Sequence, residues 1–319
     1  MKNLFLSTST VALILGGSAA FAQSNEAFLE QVGNENEASQ TQTGVENVAT
    51  VSQAGTNGRD FHVQTGDRNS YTSTHVGRTW QRNGQQTGND NTISLTTNGT
   101  GSWITHVRQI GDNYVASLDV TGDAAYTLNQ SGNRNNFAVT ADGLEGNFQQ
   151  NAVEGVVNND NVGTMTALGD YHSAFHRILG SFNIATINQT GFQQYGAQWV
   201  GKDYNLAGFS NAFTITQGGS FGSAGQWLNG GDFNIATIDQ SDAVNDHARA
   251  LQTIEGDTNV ALATQAGASN RSVSWQTGNL NDVNQTQTGD INISSSRQTG
   301  NSNIKAFPVY VEAYPASQK

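Results

Sequence analysis

The side chains best suited to chemistry in this sequence are six histidines, at positions 62, 75, 106, 172, 176 and 247. His172 and His176 are spaced to share one face of a strand, a geometry that suits a metal such as zinc. No third ligand accompanies them, so no metal site is expected. Aspartates stand directly after many glycines: Asp67, Asp112, Asp123, Asp170, Asp232, Asp257 and Asp290. Calcium-binding solenoids use such residues, but their Gly-Gly-x-Gly-x-Asp spacing is missing here. An aspartate at a turn ordinarily bonds nearby backbone. No nucleophile elbow, phosphate loop or metalloprotease motif occurs. No catalytic residue, no cofactor and no small-molecule substrate is therefore expected. The chemistry that the sequence does repeat is that of the side-chain amide, which carries two donors and an acceptor together.

The amides recur with a glycine. A glutamine stands two places before the glycine, as in Gln42-Thr43-Gly44 and Gln53-Ala54-Gly55, and the phrase returns about every eleven residues. These glutamines are Gln31, Gln42, Gln53, Gln64, Gln86, Gln109, Gln130, Gln189, Gln217, Gln240, Gln265, Gln276, Gln287 and Gln298. The glycine framework includes Gly44, Gly55, Gly66, Gly88, Gly180, Gly191, Gly256, Gly278, Gly289 and Gly300, and Asp242 takes one glycine place. Every second glycine is followed three places later by asparagine: Asn47, Asn69, Asn91, Asn135, Asn158, Asn183, Asn234, Asn259, Asn281 and Asn303. Tyr114 and Tyr204 fill the two odd places, and asparagine is rare there after the other class of glycine. The true unit is thus about 22 residues in two unlike halves, with about a dozen copies over 31–303. Between about 141 and 229 the pattern drifts, with Val153, Ile178, Trp199 and Asn229 in the glutamine's place.

Residues between the glycines alternate with period two. Asn183-Ile184-Ala185-Thr186-Ile187-Asn188-Gln189 is nearly copied by Asn234-Ile235-Ala236-Thr237-Ile238-Asp239-Gln240. Such alternation puts Asn, Ala, Ile and Gln on one face of a strand and Thr on the other. The second half of each unit is more aromatic but has strand length and composition. Strand, glycine turn, strand, glycine turn is one coil of a solenoid. The fold expected is all-β, a cross-β solenoid with strand-turn-strand rungs of about 22 residues. Rungs stacked about 4.8 Å apart would place like amides above one another, each bonding its copies as a ladder.

Bulk properties agree. Charged residues are 13% and apolar residues 35%, too few for an ordinary aliphatic core, while 8% aromatics argue against simple disorder. A net charge of −12 disfavours nucleic acid as a partner. Lys2, a short apolar run from Leu4 to Leu15, and Ala20-Phe21-Ala22 read as a secretory signal over 1–22, with cleavage after Ala22. A short lead, 23–30, precedes the repeats. The segment 304–319 holds Pro308 and Pro315, which cannot donate to a ladder, and reads as a cap or a docking tail. The chain has no cysteine, so export brings no disulfide framework.

The phrase Gln42-Thr-Gly44-Val-Glu-Asn47-Val-Ala49-Thr-Val-Ser-Gln53, returning in part as Ile254-Glu-Gly256-Asp-Thr-Asn259-Val-Ala261-Leu-Ala-Thr-Gln265, resembles the curlin repeat of curli fibre subunits. The resemblance covers almost all of the mature chain, though familiar curlins have fewer repeats. It implies a secreted subunit that leaves through an outer-membrane pore. Such a subunit polymerises on a nucleating partner into cell-surface amyloid fibres of the biofilm matrix, which serve adhesion. A nucleator of the same fibre, a monomeric adhesin or ice-binding solenoid, and a β-helical carbohydrate-active enzyme are the competing readings. Non-uniform outward rows (Thr50, Thr186 and Thr237 beside Ser52, Asn188 and Asp239) count against ice.

Overall fold

The computed structural model describes residues 24–76, 82–97, 104–121, 125–144, 148–149, 159–201, 208–242 and 246–310. The expected signal and most of the C-terminal tail lie outside them. Every regular element among the described residues is a strand. The chain divides into two compact units between Met165 and Thr166. Each is a parallel β-solenoid.

In the first unit, Glu26–Asn34, Val48–Thr56, Ser70–Val76, Thr92–Thr97, Val115–Thr121 and Asn136–Leu144 stack in register as one sheet. The intervening strands Glu37–Thr43, Arg59–Thr65, Arg82–Thr87, Ile104–Asp112, Ala125–Asn133 and Phe148–Gln149 form the other. Gln31 pairs with Gln53 and Gln42 with Gln64, so one rung is 22 residues.

In the second unit, Ile184–Phe192, Ala212–Gln217, Ile235–Gln240, Val260–Ala266, Asp282–Thr288 and Ile304–Tyr310 form the first sheet. The second comprises residues 173–178 of Val162–Ile178, then Tyr195–Val200, Ser223–Leu228, Arg249–Glu255, Arg271–Thr277 and Ile293–Thr299. Three short strands, Gly180–Ser181, Gly208–Phe209 and Gly231–Asp232, line one corner. Strand Ile304–Tyr310 carries the stack into the segment read as a tail, with Pro308 opposite Thr286.

The alternation sets what is buried. In Ile235–Gln240, Ala236, Ile238 and Gln240 point in, while Thr237 and Asp239 lie between buried and exposed. Between two sheets only short or flat side chains fit, so large and small residues interleave from rung to rung. The column Ala49, Tyr71, Ile93, Ala116, Phe137 runs through the first unit, all fully buried. The Tyr71 ring stacks on His62 with centroids 3.7 Å apart, and a Cβ at Gly84 would strike both rings. Gly84 is therefore a packing glycine, unlike those of the corners.

At the corners, conformation decides. Gly88 has φ +118°, and a Cβ there would run into the carbonyl oxygen of Gly111 on the next rung. Two residues on from each such glycine comes a second left-handed residue, here of any type: Glu46, Arg68, Phe182, Phe233, Leu280 and Ile291, with φ from 55° to 60°. For a β-branched residue such as Ile291 this conformation costs about 1–2 kcal/mol.

Two outcomes follow. Gly88→Val combines strain with a backbone collision and is expected to lower stability by more than about 3 kcal/mol, against under about 0.5 kcal/mol for Thr50→Ser. Ile291→Gly is expected to raise it by about 1 kcal/mol. Urea denaturation midpoints of the soluble protein check both.

Candidate functional site: the stacked amide columns

The glutamines form columns along the stack. In the first unit Gln42, Gln64, Gln86, Gln109 and Gln130 are linked in order, each Nε2 donating to the Oε1 of the next. The second Nε2 hydrogen crosses the interior: that of Gln64 bonds the carbonyl of Val48, that of Gln86 the carbonyl of Ser70. Each interior amide thus has both donors and its acceptor engaged. Gln31 donates to Gln53 in the same sense, and there that column stops, because His75 and Thr97 take the next two places. In the second unit Gln189, Gln217, Gln240, Gln265 and Gln287 form an unbroken column, and Gln276 donates to Gln298. All these columns run the same way, donor to higher-numbered acceptor. The first members of three of them carry an open acceptor: the Oε1 atoms of Gln31, Gln189 and Gln276 are buried without a partner.

The asparagines staple the turns. The Oδ1 of Asn47 accepts the backbone N–H of Asn69, and its Nδ2 donates to the carbonyl of Gly66. The link repeats from Asn69 to Asn91, and Asn91 receives the N–H of Tyr114 in the first odd place. Asn135 receives Asn161. In the second unit the order is Asn183, Asn211, Asn234, Asn259, Asn281, Asn303. Asn211, not Tyr204, therefore occupies that place; Tyr204 and Asn158 lie outside the described residues. The turn glycines Gly44, Gly55, Gly66, Gly88, Gly180, Gly191, Gly256, Gly278, Gly289 and Gly300 all have positive φ.

Some columns have no counterpart in the repeat as counted from glycine. Gln198, Gln226 and Gln252 form a further buried ladder. Asn36, Asn270 and Gln194 do at the opposite corner what Asn47 does at its own, donating to the carbonyls of Gly55, Gly289 and Gly219. In the drifting middle, Trp199 and Asn229 do not replace glutamine. The register places Ile178, Val200, Leu228 and Ile254 in one column, continuous with Gln276, and these four are buried. One extra residue before Gly231 shifts the count there.

The corner aspartates bond backbone on the neighbouring rung. Asp67 accepts the N–H of Val45, Asp112 that of Asn89, and Asp257 that of Asp232. Among the described residues no group of three or more His, Asp or Glu is placed to hold a metal. His172 and His176 face the interior, and the Nε2 of His172 lies 3.1 Å from the carbonyl of Leu168. Burial pushes His62 and His176 down to about 3, with the Gln86 side chain opposing weakly at His62.

What this arrangement offers chemically is a row of amide donors and acceptors with one sense along each column. It defines a parallel β-solenoid with directional side-chain ladders, and no convergent reactive groups appear among the described residues. No protein-family model matches the chain, and no curated protein matches it.

Two measurements probe the columns. Gln86→Leu leaves the donor of Gln64 and the acceptor of Gln109 unpaired in the interior and is expected to cost about 2–5 kcal/mol. Gln298→Leu, at a column's end, leaves the Nε2 of Gln276 still donating to the carbonyls of Val260 and Asn281 and should cost less than half as much. The histidines make stability depend on acid. Their folded values lie below the ordinary 6.5, so the unfolded chain binds protons first. The stabilisation is complete above about pH 6.5 and falls as the pH drops toward 3, by up to about 1.4 kcal/mol per unit for each histidine. His62→Gln with His176→Gln should flatten the loss between about pH 6.5 and 5, read from urea midpoints.

Proposed function

We propose that this protein is the structural subunit of an extracellular, curli-like amyloid fibre, growing by end-to-end stacking of solenoid rungs and serving biofilm matrix and surface adhesion. The observation that carries the reading is that the amide columns are directional and that the one starting at Gln31 begins in an open acceptor on the first described rungs. Gln31, on the first described rungs, has a buried Oε1 without a partner, the group that a glutamine of a preceding rung would satisfy. Edge strands whose backbone is unpaired are templates for another chain. The sequence resemblance adds export through an outer-membrane pore and growth from a nucleating subunit as the expected partners. In this reading the chain is secreted and acts without a cofactor.

Incubating the purified mature protein and following thioflavin fluorescence and electron micrographs tests it. Unbranched fibres with a cross-β signal near 4.8 Å are expected. Monomer persisting over days without fibres sinks the reading. Seeding separates a major subunit from a nucleator, because a nucleator added in trace amounts shortens the lag of a second protein.

A further inference from the structure

The chain is acidic overall, yet its second unit concentrates positive charge on one sheet. Residues 166–319 contain four arginines, Arg177, Arg249, Arg271 and Arg297. All four occupy outward positions of the sheet built from residues 173–178, Tyr195–Val200, Ser223–Leu228, Arg249–Glu255, Arg271–Thr277 and Ile293–Thr299. Arg249 and Arg271 stand side by side on adjacent rungs, and Arg297 neighbours Trp275. Among the described residues none of Arg249, Arg271 and Arg297 forms an ion pair. Glu255 is the one carboxylate on this face. At its edge lie Asp246, whose Oδ1 is 3.1 Å from the Nδ1 of His247, and Asp290, which accepts the N–H of Ala268. The other sheet of the unit has no arginine among its described strands, carries Asp239 and Asp282, and has one described cation, Lys305, on its last strand.

Aromatic rings share the same face. Trp199 and Trp227 are in register with centroids 6.3 Å apart, Tyr195 is 48% exposed and Trp275 is 42% exposed. A Cβ at Gly225 would run into the Trp227 ring, so that indole lies down along the sheet instead of standing off it. At the rim a shallow cleft of about 420 Å³ joins Tyr171, Gln193, Tyr195, Phe221, Ser223 and Arg249.

We propose that this face binds an acidic polysaccharide, a glycan chain bearing carboxylates on its sugar rings. Flat rings accept the apolar C–H faces of sugars, whose polarised hydrogens meet the negative face of the π system. The arginine forks pair with carboxylates in two-point contacts. Charge complementarity sets the sign of the partner, since each unpaired cation here lies on a protein of net charge −12. Nucleic acid carries charge at a similar density, and the poly-dT arm of the test separates it from the glycan. The face points away from the stacking direction, so the proposal stands whether or not the chain forms fibres.

The test uses the soluble mature protein and four probes: polygalacturonate, an uncharged glucan, poly-dT, and vesicles of anionic phospholipid. Polygalacturonate is expected to bind best. Arg249→Gln with Arg271→Gln should weaken it roughly tenfold. Trp275→Ala should weaken it several-fold even in salt that screens the arginines. Both variants change exposed side chains, and an unchanged far-UV β spectrum confirms that each has folded. Binding of poly-dT or vesicles in preference, equal binding of the neutral glucan, or affinity unaffected by the variants overturns the proposal. Thioflavin kinetics on the same samples report on fibre formation separately.

Discussion

A glutamine buried in a narrow solenoid has two N–H groups and a carbonyl oxygen to satisfy where water does not reach. Leaving any of them unpaired costs about 1–3 kcal/mol. Gln64, Gln86 and Gln109 meet the demand in one way. One N–H goes up to the next glutamine, one goes across to a strand carbonyl, and the oxygen receives from below. The neighbour above must therefore be another acceptor at the same height and the same place in the strand. This constraint fixes the register of both sheets, and with it the rung length of 22 residues over much of the chain. A one-residue slip would turn every one of these side chains outward.

The corners show how much local cost that register absorbs. A left-handed residue recurs two places after the glycine, and several of them are residues that resist the conformation, Phe182, Phe233 and Ile291 among them. They hold because the turn is pinned from both sides. At Gly231, Asn211 donates to the carbonyl, and Asp232 accepts the N–H of Phe209. Because each rung bonds chiefly to its neighbours, stability is close to a sum of nearest-neighbour terms, and an end rung is always the least stabilised.

The parts of this architecture legible in the sequence are those that repeat at constant spacing. The glycine, the asparagine three places later and the alternation of Ala, Ile and Gln all follow from counting. Counting fails where rungs change length. From Asn183 to Asn211 the step is 28 residues and from Asn211 to Asn234 it is 23, so the place assigned to Tyr204 belongs to Asn211. The same shift hid the column Ile178, Val200, Leu228 and Ile254. Gln198, Gln226 and Gln252 escaped notice for another reason: they lie two places from the framework glutamine, where other rungs carry His62, Gly84 or Ser274. Their ladder is visible only once the strands are stacked. Nothing in a linear pattern marks Gly84 as space for two rings, or gathers arginines from four separate rungs onto one face.

The aliphatic column explains how the second unit tolerates its irregular rungs. Val200 is the last strand residue before the insertion at 202–207, and Leu228 precedes the extra residue near Gly230. An amide at that place would have to hold a hydrogen bond across a junction whose backbone path differs from rung to rung. Apolar contact is non-directional and survives small displacements, contributing roughly 25 cal/mol for each Å² buried. The directional amides stay in the columns beside it, Gln189 to Gln287 and Gln198 to Gln252, where the strands keep strict register. Once the rungs become regular again, from Gln276 onward, glutamine returns to the aliphatic column. Directional bonding is thus used where geometry repeats and greasy packing where it does not, which lets rungs of unequal length share one stack.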